Sequence, residues 1–204
     1  MTPERCLSTP PERCLSTPPE RCLSTRAIYN GRILNLRVDE VELCFGEATN
    51  GQTQALCSRE VIEHRPAVGV LAVTKDGSLL LTRQYRYAAG ERLLEICAGL
   101  VEPHETPLQA AMREAQEELG VKPGTLAEIS ELYTSPGFCT EALTLFLASD
   151  LRPSSLPQDA DENVETVEVP EADIDSLLSS GGIRDMKTFA ALCWYRGRIG
   201  SSTR

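Results

Sequence analysis

No stretch of this sequence is both long and apolar enough to span a membrane, and its start lacks the basic, apolar and small-residue succession of a signal peptide. Positive charge is scarce. Twenty Lys and Arg stand against thirty Asp and Glu, a net charge of −10, which argues against a nucleic-acid surface. Histidine is nearly absent, with two residues, and no CxxC pair occurs. Of the eight cysteines, Cys6, Cys14 and Cys22 belong to a repeat. Cys44, Cys57, Cys97, Cys139 and Cys193 are scattered, with no histidine at metal-ligand spacing. These absences exclude a thiolate–imidazole metal centre and a disulfide scaffold, and read as free thiols in a reducing cytosol. At 204 residues the chain suits one globular domain with a sizeable core.

What is present begins with a tandem array. ERCLSTPP occupies 4–11 and 12–19, and ERCLST follows at 20–25. Each unit has one leucine and no face to bury, so residues 1–25 are expected to be disordered and dispensable. From Arg26 the composition turns globular. Strands are expected in 26–43, turning at Asn30-Gly31, and in 56–65, with a loop or hairpin around Gly46 and Asn50-Gly51. AVGVLAVTK (67–75), Asp76-Gly77 and SLLLTRQYRY (78–87) form a hairpin signal, and ERLLEICAGL (91–100) reads as one strand. Strands are expected again at 126–134, 141–150 and 164–169, a polar loop at 152–163, and helices near 171–179 and 186–197. Strands and helices intermix without regular βαβ alternation, which favours a mixed sheet covered by helices over a doubly wound one.

The most informative stretch is GLVEPHETPLQAAMREAQEELGV, Gly99 to Val121. Gly99 suggests a tight turn, Thr106 a helix cap, Pro107 the first helical position and Gly120 the stop. Leu108, Ala111, Met112, Ala115 and Leu119 recur at helical spacing and predict one apolar face. At roughly 100° per residue, Glu114, Glu117 and Glu118 share a neighbouring strip about 100° wide. Acidic helix faces are commonly just solvated. Here, however, only Arg113 is near enough to offset the mutual repulsion, and a divalent cation on oxygen ligands would relieve it.

The spacing of Gly99, Glu105, Arg113-Glu114-Ala115, Glu117-Glu118 and Gly120-Val121 resembles the Nudix hydrolase box at every fixed position. From about Tyr29 to Arg196 the chain is similar to the ADP-ribose pyrophosphatase branch of that family, through RQYRYAAG (83–90), LLEICAGLVEPHE and SPGF (135–138). Pro136, sixteen positions beyond Gly120, matches the proline characteristic of the branch. The resemblance implies an α/β/α sandwich with a mixed sheet, preceded by an antiparallel strand region at 26–64 that serves as a dimerisation sheet. The Nudix domain would cover 65–198, with a flexible tail at 199–204. The implied activity is Mg²⁺-dependent hydrolysis of ADP-ribose to AMP and ribose 5-phosphate by a cytoplasmic homodimer, with Mn²⁺ as the alternative metal. Two other readings remain: another nucleoside diphosphate sugar as substrate, or a silent ligand sensor. Metal ions resolve the awkwardness of an acidic protein handling phosphate, because they neutralise the pyrophosphate locally and lower the pKa of bound water.

By the same resemblance, Glu114 and Glu118 are the core metal ligands, with Glu117 alongside and the Ala98 carbonyl completing the set. Gly99 would make the turn that aims that carbonyl. Arg113 orients the acids through charge-assisted hydrogen bonds, and Glu105 supports the helix start. The general base is expected on the acidic loop 159–165, Glu162 first and Glu165 second, although Ala160 interrupts the acid run seen in relatives. Arg59 and Arg86 are candidates for the nucleotide and phosphate, and Glu141 for ribose. Relatives stack adenine on an aromatic where this chain has Gly31-Arg32-Ile33-Leu34, which leaves Ile33 or Arg32 to cover the base and loosens base selectivity. Replacing the base by glutamine, in Glu162→Gln or else Glu165→Gln, is expected to lower kcat roughly 10²–10⁴-fold. Near-normal kcat in both variants would remove both from the role.

Overall fold

The computed structural model describes residues 20–43, 55–158 and 163–201. The chain divides into two units, Met1–Ile62 and Glu63–Arg204. In the first, β1 (Glu20–Asn30) and β2 (Leu34–Leu43) pair antiparallel from Glu20↔Leu43 to Asn30↔Asn35, and β3 (Leu56–His64) lies on the far side of β2. The connection turns at Gly31, whose N–H donates to the Leu34 carbonyl at 3.0 Å. A Cβ on Gly31 would stand 2.5 Å from the Tyr29 ring, so the turn needs a glycine there.

The third repeat copy corrects the expected boundary. Glu20–Thr25 lies in β1 rather than in a disordered arm. Its polar side chains find partners across the ladder: Arg21 bonds Glu42, and Ser24 Oγ donates to Glu40 at 3.0 Å. Exposed pairs of this kind are worth at most about 1 kcal/mol each, so the backbone ladder, although its register shifts between Cys22 and Ser24 and again between Ala27 and Tyr29, carries the strand. The first two copies, and the expected loop at Gly46 and Asn50-Gly51, fall outside the described residues.

The second unit is organised on β4 (Ala67–Val73), a continuous apolar run that is buried on both faces apart from its last residue. β4 pairs parallel with β10 (Ala142–Ser149), and β10 pairs antiparallel with β9 (Thr125–Tyr133). On its other side β4 meets β5 (Leu79–Arg86) only at Ala72↔Leu80 and Val73↔Leu79, and β12 (Glu165–Val169) edges β5. Beyond that short contact β4 and β5 diverge. The segment expected as one strand fills the gap as two: β6 (Glu91–Glu95) pairs with β5, and β7 (Cys97–Leu100) pairs with β4. Ile96 is the break between them. A small extra ladder joins β8 (Val121–Lys122) to β11 (Arg152–Pro153).

Strand alternation sends the two faces to different helices. Val68, Val70, Phe146 and Ala148 pack against α1 (Pro107–Glu118). Leu71, Leu79, Leu81, Leu145 and Val169 pack against α2 (Ile174–Ser180) and α3 (Met186–Ser201), with a 3₁₀ turn at Glu171–Asp173 ahead of α2. The unit is therefore the expected α/β/α sandwich around a mixed sheet.

Because β1 begins within the repeat, a chain starting at Arg26 loses both the first half of that strand and the Glu20–Arg59 pair. Its melting temperature is expected to fall by several degrees relative to a chain starting at Glu20, as read by differential scanning calorimetry. Equal melting temperatures would show that 20–25 adds nothing.

Candidate active site

The site is built outward from α1. The Thr106 hydroxyl accepts the Gln109 N–H at 3.3 Å, while the Gln109 side chain accepts the Thr106 N–H at 2.8 Å. With Pro107 at the first helical position this reciprocal cap sets the entry. Gly120, at φ +65°, takes the left-handed residue that ends the helix. The buried face differs from the expected one. Leu108 is exposed, and Ala110, Ala111, Glu114, Ala115 and Glu118 turn inward. Alanines permit close approach to the sheet, and the carboxylates between them reach the backbone of β7. Two acids thus lie on the packed face rather than beside it, with Glu114 7% and Glu118 4% exposed.

Glu118 Oε2 accepts the Ala98 N–H at 3.1 Å, and Thr166 Oγ1 on β12 donates to the Glu118 carbonyl at 2.9 Å. Gly99 does not form a turn. It lies inside β7 opposite Val68, without a positive φ. A Cβ on Gly99 would stand 1.8 Å from Glu114 Oε1, so the close approach of that carboxylate is what excludes a side chain.

Arg113 gathers the acids. Its Nη1 donates to Glu114 at 2.7 Å and to Glu117 at 2.8 Å. Nε and Nη2 form a fork on Glu105 at 3.0 and 3.1 Å, and Nη2 also donates to the Leu100 carbonyl at 3.0 Å. Burial alone would make the guanidinium less basic, but Glu105, Glu114 and Glu117 together raise it well above its ordinary value. The same bonds hold the Glu105 carboxyl below the usual range against modest burial, with help from the Glu102 N–H.

This donor set suits a hard divalent cation. Glu114, Glu117, Glu118 and the Ala98 carbonyl offer only oxygen, and one arginine among these acids leaves an excess of negative charge. The Cys97 thiol does not compete: burial first, then the Glu118 and Glu114 charges, push it up and keep it protonated. Among the described residues no three ligand side chains stand ready around one point; Glu114 and Glu117 share a single guanidinium nitrogen. The groove left by Gly99 is where Glu114 meets the β7 backbone.

The other expected site residues are dispersed. Arg86, on the α1 side of β5, donates from Nε and Nη2 to the two Glu95 oxygens at 2.7 and 3.0 Å. The Glu95 bonds raise its basicity against the cost of burial, and the Glu118 and Asp185 charges add to them, so Arg86 lies within the field of the α1 acids. Arg59 belongs to the N-terminal unit, where it forks on Glu20 at 3.0 and 2.6 Å. Pro136 lies in the β9–β10 loop, closed by the Cys139 N–H on the Ser135 carbonyl at 2.8 Å. Glu141 serves that loop: it accepts the Thr134 hydroxyl at 2.7 Å and lies 3.4 Å from His64 Nδ1. Glu165 begins β12. Thr166 is the β12 side chain that reaches α1, so alternation sends Glu165 with Val167 to the opposite face, 3.8 Å from Arg83. Glu162 lies outside the described residues.

The NUDIX domain model matches residues 63–192, well over half of the chain. The chain belongs to the Nudix family. It is 38% identical over 169 residues to an ADP-ribose pyrophosphatase of Bacillus subtilis, covering 81% of this chain and 86% of that one. A methanol dehydrogenase activator of Bacillus methanolicus is 34% identical over 170 residues, covering 82% and 88%. A GDP-mannose pyrophosphatase of Pectobacterium atrosepticum is 34% identical over 144 residues, covering 66% and 74%. The crystal structure of an ADP compounds hydrolase shares the fold, with a TM-score of 0.78 at 23% identity over 90% of this chain and 95% of the other.

Sequence reasoning about this Nudix domain missed Glu95, Lys187 and Thr188. Glu95 ends an apolar run, LLE, and sits 1% exposed. Asp185 stands three residues before Thr188, which is the spacing of a helix cap and the one signal that pointed to this corner.

The clearance at Gly99 generates a test. Gly99→Ala must displace Glu114, and is expected to weaken Mn²⁺ binding by roughly 10–100-fold, the cost typical of disturbing a ligand's support. Titration followed by electron paramagnetic resonance measures this directly. Wild-type affinity would mean that the Glu114 position is not required.

Proposed function

We propose that this Nudix chain is a divalent-metal-dependent hydrolase of nucleoside diphosphate sugars, and that its substrate is ADP-ribose, cleaved to AMP and ribose 5-phosphate. The observation that carries the reading is the pair of buried carboxylates at the β7 backbone: Glu114, held beside Gly99 by Arg113, and Glu118, which accepts the Ala98 N–H. The resemblance of the chain to ADP-ribose pyrophosphatases supports the choice of substrate.

Glu114, Glu117, Glu118 and the Ala98 carbonyl would hold Mg²⁺ or Mn²⁺. When bound, the metal supplies positive charge that offsets the two negative phosphates facing the nucleophile. The remaining work falls to the chain. Arg113 fixes the spacing of the helix acids, and Glu105 anchors that guanidinium from the loop before α1. Arg86 presents a guanidinium to a phosphate oxygen. Glu162 is proposed as the base that takes the proton of the attacking water as the water oxygen bonds to phosphorus. The bridging P–O bond then breaks and its electrons leave with the departing phosphate. Pro136 shapes the loop beside the substrate.

The N-terminal sheet, 26–64, is proposed to form a homodimer, since Ile28, Tyr29, Ile33 and Leu56 present apolar side chains to solvent in the single chain. The free thiols of Cys22, Cys57, Cys97, Cys139 and Cys193 suit a cytoplasmic location. No described helix is long and apolar enough to cross a membrane.

A second reading, GDP-mannose as substrate, is favoured by the relatives of that name at 33–34% identity and by the missing aromatic at Gly31–Leu34. Incubating the purified chain with Mg²⁺ and ADP-ribose, other ADP-sugars, GDP-mannose and NADH separates these readings. ADP-ribose is expected to show the highest kcat/KM, with AMP and ribose 5-phosphate as products. Preference for GDP-mannose would replace the substrate, and no turnover of any compound would leave only ligand sensing.

A further inference from the structure

A second charged cluster lies outside the Nudix box, where β4 and β5 diverge. Glu95 ends β6 as a carboxylate 1% exposed. Such a group is tolerated in the interior only if it is paired and fully hydrogen-bonded. Arg86 supplies a two-bond fork, at 2.7 and 3.0 Å, and Lys187 from the first turn of α3 supplies a third bond through Nζ to Glu95 Oε2. Burial would raise the Glu95 carboxyl, but Arg86 and then Lys187 outweigh it and hold it below its ordinary value, so it stays charged. Asp185 balances Lys187 at 2.9 Å. Two cations and two anions thus close a neutral set.

The cluster is anchored rather than merely adjacent. Ile96 belongs to neither β6 nor β7, and its buried N–H would be orphaned at the break. The Thr188 hydroxyl accepts that N–H at 2.8 Å and donates in turn to Asp185 Oδ2, which also caps α3 through the Thr188 N–H at 2.9 Å. Thr188 is fully buried. The start of α3 is therefore tied to the same strand break that leads, two residues on, into Ala98.

The fork uses Nε and Nη2 of Arg86. Nη1 has no hydrogen-bond partner among the described residues, and the side chain keeps 39% of its exposure. An arginine held along one edge presents the other edge at a fixed angle. A charge-assisted bond to phosphate depends on that angle.

We propose that Glu95 and Lys187 are positioning residues for substrate: Lys187, carried by α3, steadies Glu95, and Glu95 locks Arg86 so that its free edge meets a phosphate oxygen of the nucleoside diphosphate. This role rests on the hydrolase reading above. It adds a dependence of substrate binding on the C-terminal helix, which carries no box residue.

Two variants test it against a purely structural, charge-neutralising role. Glu95→Asp keeps every charge but withdraws the carboxylate by one methylene. Glu95→Gln/Lys187→Met removes one charge of each sign, so neutrality survives while the fork loses its anionic acceptor. Both are expected to keep a melting temperature near wild type and to raise KM for the turned-over nucleotide sugar about tenfold, the scale of one hydrogen bond to a charged group, with kcat changed far less. Adding Arg86→Lys to the double variant is expected to raise KM little further, because the two changes disable one device. In ¹⁵N-arginine-labelled protein the Arg86 Nε–H signal, slow to exchange in wild type, is expected to exchange rapidly in the double variant. Should either variant fail to fold, the other still decides. A wild-type KM in a folded variant, or effects of Arg86→Lys that simply multiply, would overturn the role alone. Absence of any turnover by the wild-type chain would overturn the hydrolase reading and this role with it.

Discussion

Burial of like charge is the constraint on which the larger unit turns. Glu114 and Glu118 sit on the inward face of a helix whose other inward residues include alanines, pressed against a strand whose own residue at the contact is glycine. Two carboxylates at that depth repel each other and lose hydration, and both costs grow as the local dielectric falls. Arg113 offsets part of this by reaching five acceptors on the helix, the entry loop and the end of β7. A hydrophobic face would have packed with less strain on the electrostatics. Acids kept at that depth suit a hard divalent cation.

The same economy governs the corner at Glu95. Here the carboxylate is matched in advance by Arg86 and Lys187, so the cluster is complete as it stands. The two clusters differ in their state of charge: one is saturated, the other retains an excess of negative charge. A saturated buried pair resists change and suits a fixed part, while an unsaturated one can take up an ion. The strand break at Ile96 lies between them and is held by α3, which links a rigid part to a responsive one through a few residues of backbone.

Much of this was legible in the residues. The hairpin from Ala67 to Arg86 was readable because a continuous apolar run, a turn dipeptide and a second apolar run leave few alternatives. The limits of α1 followed from Thr106, Pro107 and Gly120, whose preferences are local. What failed was everything decided by approach between elements. Leu108 fits the helical period yet faces outward, because the tight packing selects alanine at the contact. Gly99 looked like a turn residue, since the signal for close contact in a strand is the same letter. One strand from 91 to 100 became two, because β4 and β5 diverge and a single ladder cannot pair with both. The repeat suggested disorder by composition, but composition says nothing of a partner strand ready to receive Glu20–Thr25. The face that Glu165 takes depends on the register of β12, which no local residue announces.

The parallel pairing of β4 with β10 also bears on how the chain is made. Residues 74–141, the box helix and β9 among them, are encoded between those two strands. As the chain emerges from the ribosome, β4 therefore waits with one long apolar edge uncovered until Ala148 is available, and such edges invite association with other chains. The surplus of acids on the nascent polypeptide offers some protection through mutual repulsion during that interval. The β4 edge is thus closed only after about seventy further residues have been made, so sheet closure is a late step in the synthesis of this unit.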